Sequence, residues 1–258
     1  QRQMCIRDSS SVLDRETIEA LCDRRFGIGA DGLIAVEPSQ GKGGIVRMRY
    51  YNADGGEAEM CGNGARCFGN FAAALLHHDK TAPLPFETMA GVVTATFEKD
   101  GNVTVNLTNP HSMQLFVLNT DPTVGADVHF LNTGVPHAVA FLDKLEDLDI
   151  PRLGAYLRYH EAFSPKGTNA NFARILSPGH IAIRTYERGV EDETLACGTG
   201  MTACALLHAV LTDAPSPIQV DVAGGDTLKV GFQRTGDRFT DVTLTGPADL
   251  VFTGDIQI

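Results

Sequence analysis

The chain has 258 residues, 43% of them hydrophobic and 21% charged, with a formal net charge of −11. The acidic balance, with no basic cluster longer than Asp23-Arg24-Arg25, excludes a nucleic-acid or acidic-membrane surface. No apolar run approaches the roughly 20 residues of a membrane span and no signal peptide is visible, so a cytoplasmic enzyme is expected.

Gln1 to Ser10 shows no period and is expected to form no element. From Leu13 the pattern is helical, with Ile18, Leu21 and Cys22 on one face and Asp14 as a cap. Phe26 to Gly32 is a glycine-rich turn, and Leu33 to Val36 reads as a buried strand. The turn does not match GxGxxG and no βαβ unit is legible around it, so it carries little weight as a nucleotide site. Ile45 to Tyr51 is a strand, followed after Cys61 by a helix with the stripe Phe68, Phe71, Ala72, Leu75 and Leu76. Ala73 and Ala74 fill its other side, so the helix is expected to be enclosed, and Pro83 and Pro85 mark its exit. Gly91–Phe97 and Val103–Leu107 form a hairpin about Lys99-Asp100-Gly101-Asn102.

Asn109-Pro110-His111 closes the first half, and Asp121-Pro122-Thr123 looks like the crossing into the second. There the strands Val128–Asn132 and Ala138–Leu142 flank the loop Thr133-Gly134-Val135-Pro136-His137. A helix over about Pro151–His160 carries proline at its first position. Strands Asn171–Leu176 and His180–Tyr186 come before a helix after Cys197 that is apolar almost all round. The strands Ile218–Val222, Thr227–Phe232, Thr240–Leu244 and Leu250–Phe252 complete the chain. Each half is therefore expected to be an α+β sheet wrapped around one central helix. The expected domains are 1–117, carrying Cys61, and 118–246, carrying Cys197.

One phrase occurs in both halves. Tyr51-Asn52-Ala53-Asp54-Gly55-Gly56 leads to Cys61-Gly62-Asn63-Gly64, and Tyr186-Glu187-Arg188-Gly189 leads to Cys197-Gly198-Thr199-Gly200. Each copy runs from a strand through a polar turn to Cys-Gly-x-Gly and into a helix, which suggests duplicated halves. A helix start presents unpaired N–H groups and positive potential, which favours a thiolate and attracts a carboxylate. Two such thiols acting on one carbon could remove a proton from one face and return one to the other. That chemistry is a racemase or epimerase without a cofactor, and neither phrase holds a lysine for a pyridoxal phosphate Schiff base.

The other cysteines have less to recommend them. The spacings Cys61-x5-Cys67 and Cys197-x6-Cys204 do not match zinc pairs, so no metal is expected. Cys22, Cys67 and Cys204 read as core, and Cys5 has no assigned role.

The two phrases closely resemble the diaminopimelate epimerase family, from about Leu13 to the C-terminus. The resemblance implies two α+β domains related by a pseudo-twofold axis, an active site in the cleft between them, and a C-terminal strand (about 247–258) returning to the first domain. It implies PLP-independent epimerisation of LL-2,6-diaminopimelate to the meso form, with Cys61 and Cys197 as the bases and no cofactor. Asn52 and Asn169 match residues that hold the substrate's amino-acid groups. Gly62-Asn63 and Gly198-Thr199 match backbone donors to the reacting carboxylate. Glu187 and Arg188 match the pair lining the second phrase, and His137 and Glu187 match residues that poise the thiols. The expected partner is the small-molecule substrate, with no nucleic acid and no membrane; a homodimer is allowed.

Three departures from the family pattern stand out. The family's opening strand, His-Gly-x-Gly-Asn-Asp-Phe, has no counterpart here, so an exposed sheet edge and one lost substrate contact are expected. Gly32 stands where many members have glutamine, and Val135 where many have asparagine. The residues leave open a proline, hydroxyproline or histidine racemase on the same fold, or an inactive thiol protein. Asn52, Asn169 and Arg188 favour a substrate with a distal amino-acid group.

Overall fold

The computed structural model describes residues 3–7, 13–58 and 60–256. Statements below concern these residues. The chain divides into two compact units, Gln1–Asn106 with Thr245–Ile258, and Leu107–Leu244.

The first unit runs β1 (Gln3–Arg7), α1 (Arg15–Cys22), β2 (Gly32–Pro38), β3 (Val46–Asn52), β4 (Glu57–Ala58), α2 (Gly62–Leu75), β5 (Leu84–Thr88), β6 (Gly91–Phe97) and β7 (Val103–Asn106). Its strands lie in the order β1-β2-β3-β5-β6-β7, with β4 beside β3. The second unit opens with β8 (His111–Asp121) and β9 (Ala126–Asn132). It continues through β10 (Pro136–Phe141), α3 (Ile150–Tyr159), β11 (Asn169–Ser177), β12 (His180–Glu187), β13 (Asp192–Thr194), α4 (Gly198–Thr212), β14 (Ile218–Asp221), β15 (Thr227–Thr235) and β16 (Arg238–Gly246). Here the order is β16-β15-β14-β12-β11-β10-β9-β8, with β13 beside β12.

The repeat seen in one phrase extends through eight successive elements of each unit. β1-α1-β2-β3-β4-α2-β5-β6 recurs as β10-α3-β11-β12-β13-α4-β14-β15. The pairings recur too: β1 is parallel to β2 as β10 is to β11, and β3 is parallel to β5 as β12 is to β14. The hairpin β8–β9 is an addition to the second unit.

Both central helices are held close to their sheets. In α2 the buried face is Ala65, Phe68, Gly69, Ala72 and Ala73, while Ala74 and Leu76 are exposed. This corrects the expected stripe, which ran through Leu75 and Leu76, and the expected enclosure. Gly69 is the physical reason, because a Cβ there would lie 2.6 Å from Ala95 Cβ, so α2 rolls this face onto β6. Phe68 and Phe86 fill the space below, ring centroids 4.6 Å apart. In α4 every residue from Gly200 to Ala209 is buried.

Several expectations are overturned. Residues 3–7 form a strand that pairs with β2 from Gln3↔Gly32 to Arg7↔Val36, so that edge of β2 is covered. Met4 and Ile6 join the α1 core, and five residues are too few to show the period. The remainder of 1–10 lies outside the described residues. β1-α1-β2 is a parallel βαβ unit after all, but the glycine turn follows its helix rather than opening it. That turn's N–H groups are used on α1, with Ile28 N and Gly29 N donating to Leu21 O and Ala30 N to Cys22 O.

Strands β5 and β8 were not expected, and a boundary at 117/118 would cut through β8, which pairs with β9 inside the second unit. Pro151 is the second residue of α3, after Ile150 and the cap Asp149. Leu250–Phe252 is not a strand; these side chains are exposed, and the segment is tied by Asn70 Nδ2 donating to Ala248 O at 2.7 Å.

Glu87 on β5 anchors the loop between β2 and β3. Its carboxylate accepts from Ser39 Oγ (2.7 Å), Gln40 N (2.8 Å) and Lys42 N (2.7 Å). These donors hold its pKa down to about 2 from 4.5. A depressed carboxylate adds stability above its unfolded value and loses it as the pH falls towards the folded one. Glu87→Gln is therefore expected to lower the urea midpoint at pH 6. The gap to the parent should narrow at pH 3.5, and a gap that widened with acid would refute the assignment.

Candidate active site

In the first unit, β3 ends at Asn52, whose N–H donates to Gly56 O (2.9 Å) while its carbonyl accepts from Gly55 N (3.0 Å). This tight turn leaves the Asn52 side chain exposed and leads the chain back to Cys61. Cys61 is the N-cap of α2, in extended backbone, and its Sγ accepts from Gly64 N at 3.4 Å. Gly62 and Asn63 form the buried first turn behind it.

Gly32 faces Asn52 in the β2–β3 register. A Cβ there would lie 2.5 Å from Tyr51 O and 3.0 Å from both Tyr50 Cε2 and Tyr50 Oη. The tyrosine ring thus fills the space that a longer side chain at position 32 would need. Gly32→Ala is expected to destabilise the chain by about 1–3 kcal/mol through overpacking. Equilibrium unfolding of the variant checks this, and an unchanged midpoint would contradict it.

In the second unit Cys197 is the N-cap of α4, with Sγ 3.5 Å from Thr199 Oγ1. Thr199 is itself fixed, since Thr133 Oγ1 donates to its carbonyl at 2.9 Å. Asn169 is buried and ties two strand ends together: its Nδ2 donates to Pro136 O (2.9 Å) and its Oδ1 accepts from Arg188 N (2.8 Å). One amide hydrogen remains after these bonds. The Arg188 guanidinium donates to Lys166 O at 3.3 Å, and no carboxylate of the described residues lies within 4.0 Å of it. Burial pushes the Glu187 carboxyl up.

His137 sits on β10 opposite Asn169 in the register and is fully buried. Burial, with the Arg188 charge nearby, pushes its pKa down to about 3, so the ring is neutral at working pH. Val135 lies in the loop ahead of it, where its carbonyl accepts from Thr133 N at 3.2 Å. The second unit thus brings His137, Asn169, Glu187, Arg188 and Cys197 to the ends of β10, β11, β12 and the start of α4.

The sequence reading missed Asn171 and Thr185, which lie behind His137. The signal was there: Asn169-Ala170-Asn171 puts a second amide two residues on, on the same strand face. Burial raises the thiols of Cys5, Cys22, Cys67 and Cys204, to about 12 for Cys5, which makes them poor nucleophiles; Cys22 and Cys204 lie in the core as expected, while Cys67, expected there, is only half-buried, as is Cys5.

A family model for diaminopimelate epimerase matches residues 4–113 and 129–251. The diaminopimelate epimerase of Flavobacterium psychrophilum is 42% identical over 237 residues, covering 91% of this chain and 87% of that protein. That of Chlorobaculum tepidum is 42% identical over 248 residues, covering 95% and 93%. Among solved structures, a probable proline racemase from Agrobacterium radiobacter K84 aligns with TM-score 0.68 at 16% identity, covering 94% of this chain and 86% of that one. A hydroxyproline epimerase from Agrobacterium vitis aligns with TM-score 0.63 at 17% identity, covering 89% and 76%. The structural likenesses show a shared fold, and the sequence matches narrow it further: the chain belongs to the diaminopimelate epimerase family.

Proposed function

We propose that this chain is an isomerase that converts LL-2,6-diaminopimelate to the meso form by two-base proton transfer, supplying lysine and peptidoglycan precursors in the cytoplasm. The observation that carries the reading is that Cys61 and Cys197 cap the central helices at equivalent positions of a duplicated unit. One sulfur, as thiolate, takes the α-proton, and the other, as thiol, returns a proton to the opposite face of the same carbon. The charge that develops on the substrate carboxylate is met by N–H groups at Gly62-Asn63 and Gly198-Thr199. The carboxylate is thus the electron sink and these donors stabilise the charge it takes up, so the reading calls for no cofactor. Arg188, Asn52 and the remaining Asn169 hydrogen suit the carboxylate and amino groups of a diamino diacid. Two thiols that must differ by one proton titrate as a coupled pair.

The test is α-proton exchange of LL-diaminopimelate in D₂O with reductant, followed by NMR together with the LL-to-meso ratio. Deuterium entering the α-position as the meso form appears is the expected result, with L-proline and L-histidine unchanged. Exchange of L-proline with diaminopimelate inert would overturn the substrate assignment.

A further inference from the structure

The carbonyl of Ala138 can only accept a hydrogen bond. It lies 3.0 Å from the Asn171 side-chain atom that is also 3.1 Å from His137 Nδ1. That atom must therefore be the amide nitrogen, since an oxygen there would face a second acceptor. Thr185 Oγ1 donates to Asn171 Oδ1 at 3.0 Å and holds the carboxamide from its other end. Both hydrogens of the Asn171 amide are then directed, one to Ala138 O and one to His137 Nδ1. A neutral ring that accepts at Nδ1 carries its hydrogen on Nε2. His137 Nε2 is buried and has no hydrogen-bond partner among the described residues.

The same amide stands beside the thiol. A Cβ on Gly200 would press into Asn171 Oδ1 and lie 3.4 Å from Cys197 Sγ. The first unit shows that the fold does not require this network. The registers Leu33↔Tyr51 and Ala170↔Tyr186 make Ile34 the equivalent of Asn171 and Tyr50 the equivalent of Thr185. At Gly64, the counterpart of Gly200, a Cβ would meet Cys61 Cβ at 3.3 Å and Ile34 Cδ1 at 3.4 Å. An aliphatic side chain fills the corner in one copy, and a hydrogen-bonded amide fills it in the other.

We infer that Asn171, held by Thr185, is a positioning residue that fixes His137 as the neutral Nε2–H tautomer. His137 then serves the site as a hydrogen-bond donor at Nε2, and not as a base at that atom. The placing of His137 in the site rests on the reading proposed above; the tautomer itself does not. The device also makes the surroundings of the two thiols unequal, since the aliphatic Ile34 stands in the first unit where Asn171 stands in the second.

Imidazole ¹⁵N NMR on histidine-labelled chain at pH 7.5 tests this, with His137 assigned by its loss in His137→Phe. The parent is expected to show a neutral ring with hydrogen on Nε2. In Asn171→Asp a carboxylate replaces the donor at Nδ1, so the ring should take hydrogen on Nδ1 or become imidazolium. The pH profile of epimerisation should then gain a group titrating between pH 6 and 8, with kcat down at least tenfold and KM changed less. Thr185→Val removes only the outer hydrogen bond and should give a mixture of tautomers; it decides the matter if Asn171→Asp does not fold. A parent ring with hydrogen on Nδ1 would overturn the inference. So would variants whose ring signals match the parent. A parent without turnover would sink the functional reading while leaving the NMR result intact.

Discussion

Cys61→Ala and Cys197→Ala are each expected to lower kcat/KM for diaminopimelate epimerisation by at least about a thousandfold, within the span that positioned acid–base groups supply. Inversion needs proton loss from one face and proton gain on the other, so neither thiol can stand in for its fellow. The double variant should therefore fall little below either single one, as in other units whose members act together. Folding should survive, because each substitution removes one sulfur at a helix cap and leaves the packed faces of α2 and α4 untouched. Loss of the Gly64 N–H bond to Cys61 Sγ should cost about 1 kcal/mol or less, in line with other caps. Initial rates measured in D₂O beside thermal melts separate the two effects. If either single variant kept more than a tenth of the parental kcat/KM, the two-base reading would be abandoned.

The two cysteines were legible because their signal is local. Tyr, a polar turn and Cys-Gly-x-Gly lie within one short stretch, and the stretch occurs twice. Asn171 was not, because its role exists only once β10 lies parallel to β11 with His137 opposite Asn169, across more than thirty residues of chain. The strand β8 was hidden for another reason. Ser112, Phe116 and Thr120 have positive φ, and the register with β9 shifts three times, so the strand lacks the two-residue alternation that marks one. It is mostly exposed, which removes the apolar pattern as well. Leu250–Phe252 misled in the opposite direction, since three apolar residues read as a strand but have no ladder to join. Gly32 shows the limit of comparing strings: its meaning lies in Tyr50, which fills the neighbouring space.

Acid is expected to unfold the second unit well before its carboxylates titrate. His129, His137 and His208 are buried there, and burial pushes all three below the ordinary histidine value. His129 Nδ1 accepts from Phe116 N at 3.2 Å and His137 Nδ1 faces Asn171 Nδ2, so protonation at either would set donor against donor. His208 is 1% exposed within α4, and neither ring nitrogen has a hydrogen-bond partner among the described residues. The unfolded chain binds these protons near pH 6.5 and the folded chain resists them, so stability falls as the pH drops below 6.5. For His137 the loss runs at about 1.4 kcal/mol per pH unit until its folded value of about 3, and the other two add in the same direction. His208→Leu removes two orphaned nitrogens from an apolar helix and should raise stability at pH 7.5 by about 1–3 kcal/mol. It should also flatten the acid slope, because one proton-linked group is gone. Urea midpoints of parent and variant at pH 7.5 and 5.5 decide both points. Equal parental stability at the two pH values would refute the histidine account, and a variant weaker than the parent at both would show that His208 has a packing role the leucine cannot fill.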